Sequence, residues 1–93
     1  MLTYFANRIR DIAASSTDRY RDSNKVYISG VYQAYCERFG SVARDLFDKM
    51  IFDANQADLI VACRADLITD MDKTKVANSE VNLNGHALHF IRV

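Results

Sequence analysis

The sequence predicts an α+β domain in which three amphipathic helices precede a small antiparallel sheet. Three observations carry this. Apolar residues recur at helical spacing through the first 56 residues. Two short β-favouring runs follow, Leu59–Arg64 and His86–Val93. Between them lies a polar excursion, residues 66–85, too long for a hairpin turn and too patterned for a linker.

The first helix spans residues 2–14, where Leu2, Phe5, Ile9, Ile12 and Ala13 form one stripe and Asn7, Arg8, Arg10 and Asp11 the other face. The polar run Ser15–Asn24 reads as a loop. Lys25-Val26-Tyr27-Ile28 favours a brief strand paired with the C-terminal ribbon. Ser29 is placed as the N-cap of a second helix, 30–39, with Ile28, Val31, Tyr32, Tyr35, Cys36 and Phe39 on its apolar face. Gly40 ends it, because glycine takes positive φ at no cost. Ser41 is then the cap of a third helix, 41–56, with Val42, Leu46, Phe47, Met50, Ile51 and Ala54 inward. Asp45 near its start suits the positive end of the helix dipole. Two helices broken tightly at Gly40 form a helix-turn-helix, with 41–56 as the recognition helix.

Within the excursion, Asp72 is expected to cap a short helical turn at 74–79, and Asn82-Leu83-Asn84-Gly85 to make a turn. Leu67, Ile68, Met71 and Val76 favour an excursion packed on the body over one that projects. The whole chain, 1–93, is read as one domain of ordinary globular composition, 49% hydrophobic and 26% charged. Its N-terminus lacks the apolar core of a signal peptide and no run is long enough to span a membrane, so a cytoplasmic protein is expected. Cys36 and Cys63 sit in apolar runs, where free thiols are commonly buried, and imply no disulfide framework.

The order and spacing of these elements resemble the winged-helix class over nearly the full chain. A narrower likeness lies in Lys25-Val26-Tyr27-Ile28-Ser29, Cys63-Arg64-Ala65-Asp66-Leu67, Asn78-Ser79-Glu80 and His89-Phe90. These are similar to a small bacterial or phage domain with the pattern KVFIS, SRADL, SE and FHF. The class resemblance implies a nucleic-acid-binding or protein-binding module. The departure is the wing, since about twenty residues separate the two strands.

Candidate binding residues fall in three groups. On the third helix, Arg44, Lys49 and Asn55 are types that reach base edges or phosphates. Asp45, Asp48 and Asp53 share that helix and repel phosphate, which favours a solvated mixed-charge face. Phe52 lies off the apolar stripe and is expected at the surface, as a protein-interface anchor beside Asp48. The second group is Arg19, Tyr20, Arg21 and Lys25, an aromatic among cations suited to phosphate contact with stacking, diluted by Asp18 and Asp22. The third is Lys73 and Lys75, beside Asp70 and Asp72. The remaining aromatics, including Tyr4 and Phe39, are assigned mostly to the core.

Catalytic chemistry finds no foothold. The sequence holds no nucleophile elbow, P-loop or paired-glycine fingerprint, and the Asp66, Asp70, Asp72 series lacks the glycine and glutamate of an EF-hand. His86 and His89 stand three apart in a strand, on opposite faces, and cannot chelate one metal together. No cofactor or metal is expected. The net charge of zero lowers the case for a DNA binder, whose affinity comes mainly from phosphate contacts. The leading expectation is therefore a non-catalytic binding module acting on a protein or nucleoprotein complex; a small phage-encoded inhibitor of a host defence assembly is one form of it. The alternative is a small DNA-binding transcriptional regulator, a homodimer using the 41–56 helix in the major groove.

Overall fold

Each helix buries the stripe its periodicity marks, and the stripes meet at one aromatic cluster. A computed structural model describes residues 2–20, 23–65, 71–83 and 85–93. Helix α1 (Leu2–Ser15) buries Phe5, Ala6, Ile9, Ile12 and Ala13. Helix α2 (Ile28–Phe39) buries Ile28, Val31 and Tyr35, and α3 (Arg44–Gln56) buries Phe47, Ile51 and Ala54. α1 packs on both. At their junction the Phe47 ring stands edge-on to Phe5, Tyr32 and Tyr35, at centroid distances of 5.6, 5.0 and 5.7 Å. Each such pair contributes about 0.5–1.5 kcal/mol beyond the area it buries.

The helix starts differ from the sequence reading. Neither Ser29 nor Ser41 caps a helix: α2 begins at Ile28 after Tyr27, and α3 begins at Arg44 after Ala43, both without a side-chain cap. For α2 the reason is tertiary. The Ile28 amide donates to the His89 carbonyl (3.1 Å), and the Ser29 amide donates to the buried Ser79 hydroxyl (2.9 Å), which in turn donates to Ser29 Oγ (3.0 Å). The free amides of the first turn are met from across the fold, so no local cap is needed. Residues 40–43 are held by the Tyr32 hydroxyl, which donates to the Val42 carbonyl at 2.7 Å. Gly40 does end α2, at φ 97°.

Five strands lie within the described residues: β1 (Lys25–Tyr27), β2 (Ala62–Cys63), β3 (Val81–Leu83), β4 (His86–Leu88) and β5 (Phe90–Arg92). β5 is central in a three-stranded antiparallel sheet of order β1-β5-β2, with Tyr27 and Cys63 both opposite Phe90. The expected partnership of residues 25–27 with the C-terminus is thus present. The expected strand 59–64 shortens to two residues, because the Leu59 amide returns to the Ala54 carbonyl and closes α3 (2.9 Å). The expected single strand 86–93 is split at His89. Before it the chain pairs with β3, and after it with β1 and β2. Leu88, His89, Phe90 and Ile91 are all buried, which a regular alternating strand does not allow.

The excursion holds a fourth helix, α4 (Lys73–Ser79), where the sequence reading counted three helices in all. Asp72 caps it as expected, its carboxylate accepting from the Thr74 and Lys75 amides. β3 and β4 then form a hairpin whose turn includes Gly85 at φ 79°, the conformation the Asn-Gly pair anticipates. The described part of the segment packs on the body. α4 packs on α2 and β1, β3 packs on α3, and Met71 and Val76 are buried in a second cluster with Tyr27, Ala65 and Phe90. Leu67, Ile68 and the rest of 66–70 lie outside the described residues.

Leu46, read as inward, is 52% exposed, whereas its neighbour Phe47 is fully buried. Phe47→Ala is expected to cost about 3–5 kcal/mol in urea unfolding. Leu46→Ala should stay within about 0.5 kcal/mol of the native chain. The reverse order would mean that α3 is rotated about its axis.

Candidate partner-binding surfaces

The cations of α3 are answered on their own helix. Arg44 Nε donates to Asp48 Oδ1 at 2.6 Å, and Lys49 Nζ to Asp53 Oδ2 at 2.9 Å, both one turn onward. Arg44 also lies over the Tyr32 ring, 5.2 Å from its centroid. Burial pushes the Asp48 carboxyl above its ordinary value, and the Arg44 hydrogen bond and charge oppose that shift. The pair is partly buried; removing the arginine alone would leave Asp48 desolvated without compensation. Asn55 turns inward, its Oδ1 accepting from the Ala62 amide at 3.0 Å and tying α3 to β2. Phe52, expected at the surface, is half-buried and lies 6.2 Å from the His86 ring in the β3–β4 hairpin. It falls off the α1-facing stripe because it serves a different neighbour, the packed excursion.

The second and third groups converge. Lys25 Nζ and the Tyr20 ring both lie against Phe90, at 5.9 and 6.1 Å from its centroid. Lys75 lies over Tyr27 (5.3 Å) and donates to Asp18 Oδ1 at 2.6 Å, joining the excursion to the loop after α1. Arg19 is committed to the main chain: its guanidinium donates to the carbonyls of Ala13 (3.3 Å), Ala14 (3.0 Å) and Ser16 (2.9 Å), closing the C-terminus of α1. Lys73 is exposed at the first position of α4. Arg21 lies outside the described residues. The close approach of Asp18 to α2 explains Gly30, where a Cβ would overlap the Asp18 carboxylate.

A further surface escaped the sequence reading. Tyr4 is 69% exposed and Phe39 39% exposed, although both were assigned to the core. Arg8 and Arg38 lie over the Phe39 ring, 4.2 and 5.2 Å from its centroid, and Tyr4 stands one helical turn before Arg8. The signal for Tyr4 was present: it sits two positions from Leu2 and one from Phe5, off the buried stripe. Phe39 gave no such warning. It extends the α2 stripe, but α2 ends there and its last turn overhangs the core.

The histidines occupy different environments, His86 exposed and His89 buried. His89 Nδ1 accepts from the Ala65 amide at 3.0 Å, which in the neutral ring leaves the proton on Nε2, 3.3 Å from Glu80 Oε1. Among the described residues no group of three or more His, Cys, Asp or Glu is arranged to hold a metal ion. Both cysteines are only half-buried. Among the described residues no helix is long and apolar enough to cross a membrane.

No known protein family, curated protein or solved structure matches the chain.

Two stability outcomes follow. Arg44→Ala is expected to cost about 1 kcal/mol in urea unfolding, and adding Asp48→Asn should recover part of that loss by removing the uncompensated carboxylate. Lys75→Met should cost less, at most about 1 kcal/mol, because the pair is solvent-screened. The Asp18 hydrogen bond and charge raise the Lys75 pKa above its ordinary 10.5. The native advantage over Lys75→Met is therefore complete below pH 10.5 and disappears as pH rises through the raised value. Paired unfolding curves at neutral and alkaline pH check the sign.

Proposed function

We propose that the chain is a winged-helix-like, non-catalytic binding module whose partner is a protein or a protein within a nucleoprotein complex. The element order helix, strand, helix, helix, strand and returning strand, with β5 between β1 and β2, supports the winged-helix reading. The observation that carries the choice of partner is the internal pairing of the α3 cations. Arg44 and Lys49 are each engaged by a carboxylate, and Asn55 is spent on the Ala62 amide. A groove-reading helix needs such groups free to reach base edges and phosphates. To meet DNA here, Arg44 would have to leave both Asp48 and Tyr32, and Asp48 and Asp53 would then face phosphate. The chain as a whole carries no net positive charge to offset that repulsion.

The excursion weighs the same way. Its described elements α4 and β3 pack against α2 and α3, so they offer a broadened surface. A small phage-encoded inhibitor would use the same surface against a protein of a host assembly. The second reading, a dimeric DNA regulator, is favoured by one feature: the tight break at Gly40 before α3 retains helix-turn-helix order.

Fluorescence anisotropy of labelled duplexes, titrated at low and physiological salt, separates the two. The expected result is weak or absent binding even at low salt, with Lys49→Ala indistinguishable from the native chain. Tight binding that falls steeply with salt, and a shallower salt slope in Lys49→Ala, would overturn the protein-binding reading.

A further inference from the structure

We infer that Tyr4, Arg8, Arg38 and Phe39 form a docking surface for an acidic peptide segment of a partner protein; this rests on the protein-binding reading above. The described arginines divide by what they touch. Arg44 is paired with a carboxylate, and Arg10 and Arg19 are bound to main-chain carbonyls. No carboxylate pairs with Arg8, Arg38, Arg64 or Arg92 among the described residues, and of these Arg8 and Arg38 share one aromatic ring. Arg8 makes one long hydrogen bond to the Tyr35 hydroxyl (3.4 Å), and both guanidiniums lie over the one exposed phenyl ring of Phe39.

This arrangement is suited to an anion. A guanidinium stacked on an aromatic face keeps its planar fork of donors open at the edge, so its bidentate geometry towards a carboxylate remains available. Stacking also holds the side chain in place and lowers the entropy lost on binding. Tyr4 and Phe39 add exposed aromatic surface beside the charges, and Tyr and Arg are the residue types that carry most binding energy in protein interfaces. The complementary occupant carries two carboxylates and an apolar side chain between them.

Charge decides between an acidic peptide and a nucleic acid. Two arginines neutralise about two phosphates, too few for useful polyanion affinity at physiological salt. Glu37 is exposed beside Arg38 and opposes a continuous phosphate track. A short segment with two carboxylates needs only these two arginines and no continuous anionic track past Glu37.

The test is selection of a displayed random-peptide library on the full chain, followed by anisotropy titration of the selected peptides, with labelled oligothymidylate in parallel. Expected are peptides with excess Asp and Glu around an apolar residue, whose affinity falls about tenfold or more in Arg38→Glu and in Phe39→Ala. Both positions are exposed, so thermal melting should show the fold retained. Arg8→Gln gives an independent reading from α1 and should weaken the same peptides. Peptides that bind equally well to Arg38→Glu and Arg8→Gln would overturn this surface while leaving a protein-binding module in place. Failure to select any peptide would also overturn the proposal. Oligothymidylate binding that is lost in the same variants would overturn both the acidic-peptide occupant and the protein-binding reading.

Discussion

Residue 89 is the joint on which the sheet, the second helix and the packed excursion all depend. Its amide donates to Cys63, its carbonyl accepts from Ile28, and its ring accepts from Ala65 and meets Glu80. One residue thus fixes β2 against the C-terminal strand, starts α2, and links Ala65, just past β2, to Glu80 at the end of α4. His89, Ile28 and Ala65 are buried, and a buried amide left without its acceptor costs about 1–3 kcal/mol. The chain changes partners here, pairing with β3 before His89 and with β1 and β2 after it. Four consecutive buried residues are the consequence.

From that joint the two hydrophobic clusters take their places. The larger one collects the three long helices around Phe47, whose ring is the common neighbour of Phe5, Tyr32 and Tyr35. The smaller one lies on the other side of β5, where Phe90 packs against Tyr27 at 4.9 Å and the excursion supplies Met71 and Val76. Lys25, Lys75 and Tyr20 are drawn onto the rim of this second cluster by aromatic contact. The charge of Lys75, paired with Asp18 and lying over Tyr27, is therefore part of what ties the excursion to the loop after α1.

The same economy governs α3. Its sequence alternates cations and acids one turn apart, and those pairs close on themselves. Surface ion pairs of this kind contribute little to stability, but they change what the helix offers to a partner. Two guanidiniums without a carboxylate partner among the described residues lie elsewhere, on the middle of α1 and the last turn of α2, over the Phe39 ring.

The sequence by itself determined the helices and their buried faces, the pairing of residues 25–27 with the C-terminus, the Asp72 cap and the turn at Gly85. All of these rest on short-range periodicity or on the chemistry of one or two residues. It also made the packed excursion the favoured reading, through Met71 and Val76. Tertiary structure decided the helix starts, because Ile28 and Ser29 find their partners in His89 and Ser79, sixty-one and fifty residues away. It decided the split at His89, since only the folded sheet presents two different partners to one strand. It decided as well which charged residues are spent. Arg44, Lys49, Arg8 and Arg38 carry the same charge in the sequence. The i,i+4 spacing on α3 already offers Arg44 and Lys49 their carboxylates, whereas the approach of Arg8 to the Phe39 ring depends on the packing of α1 against α2.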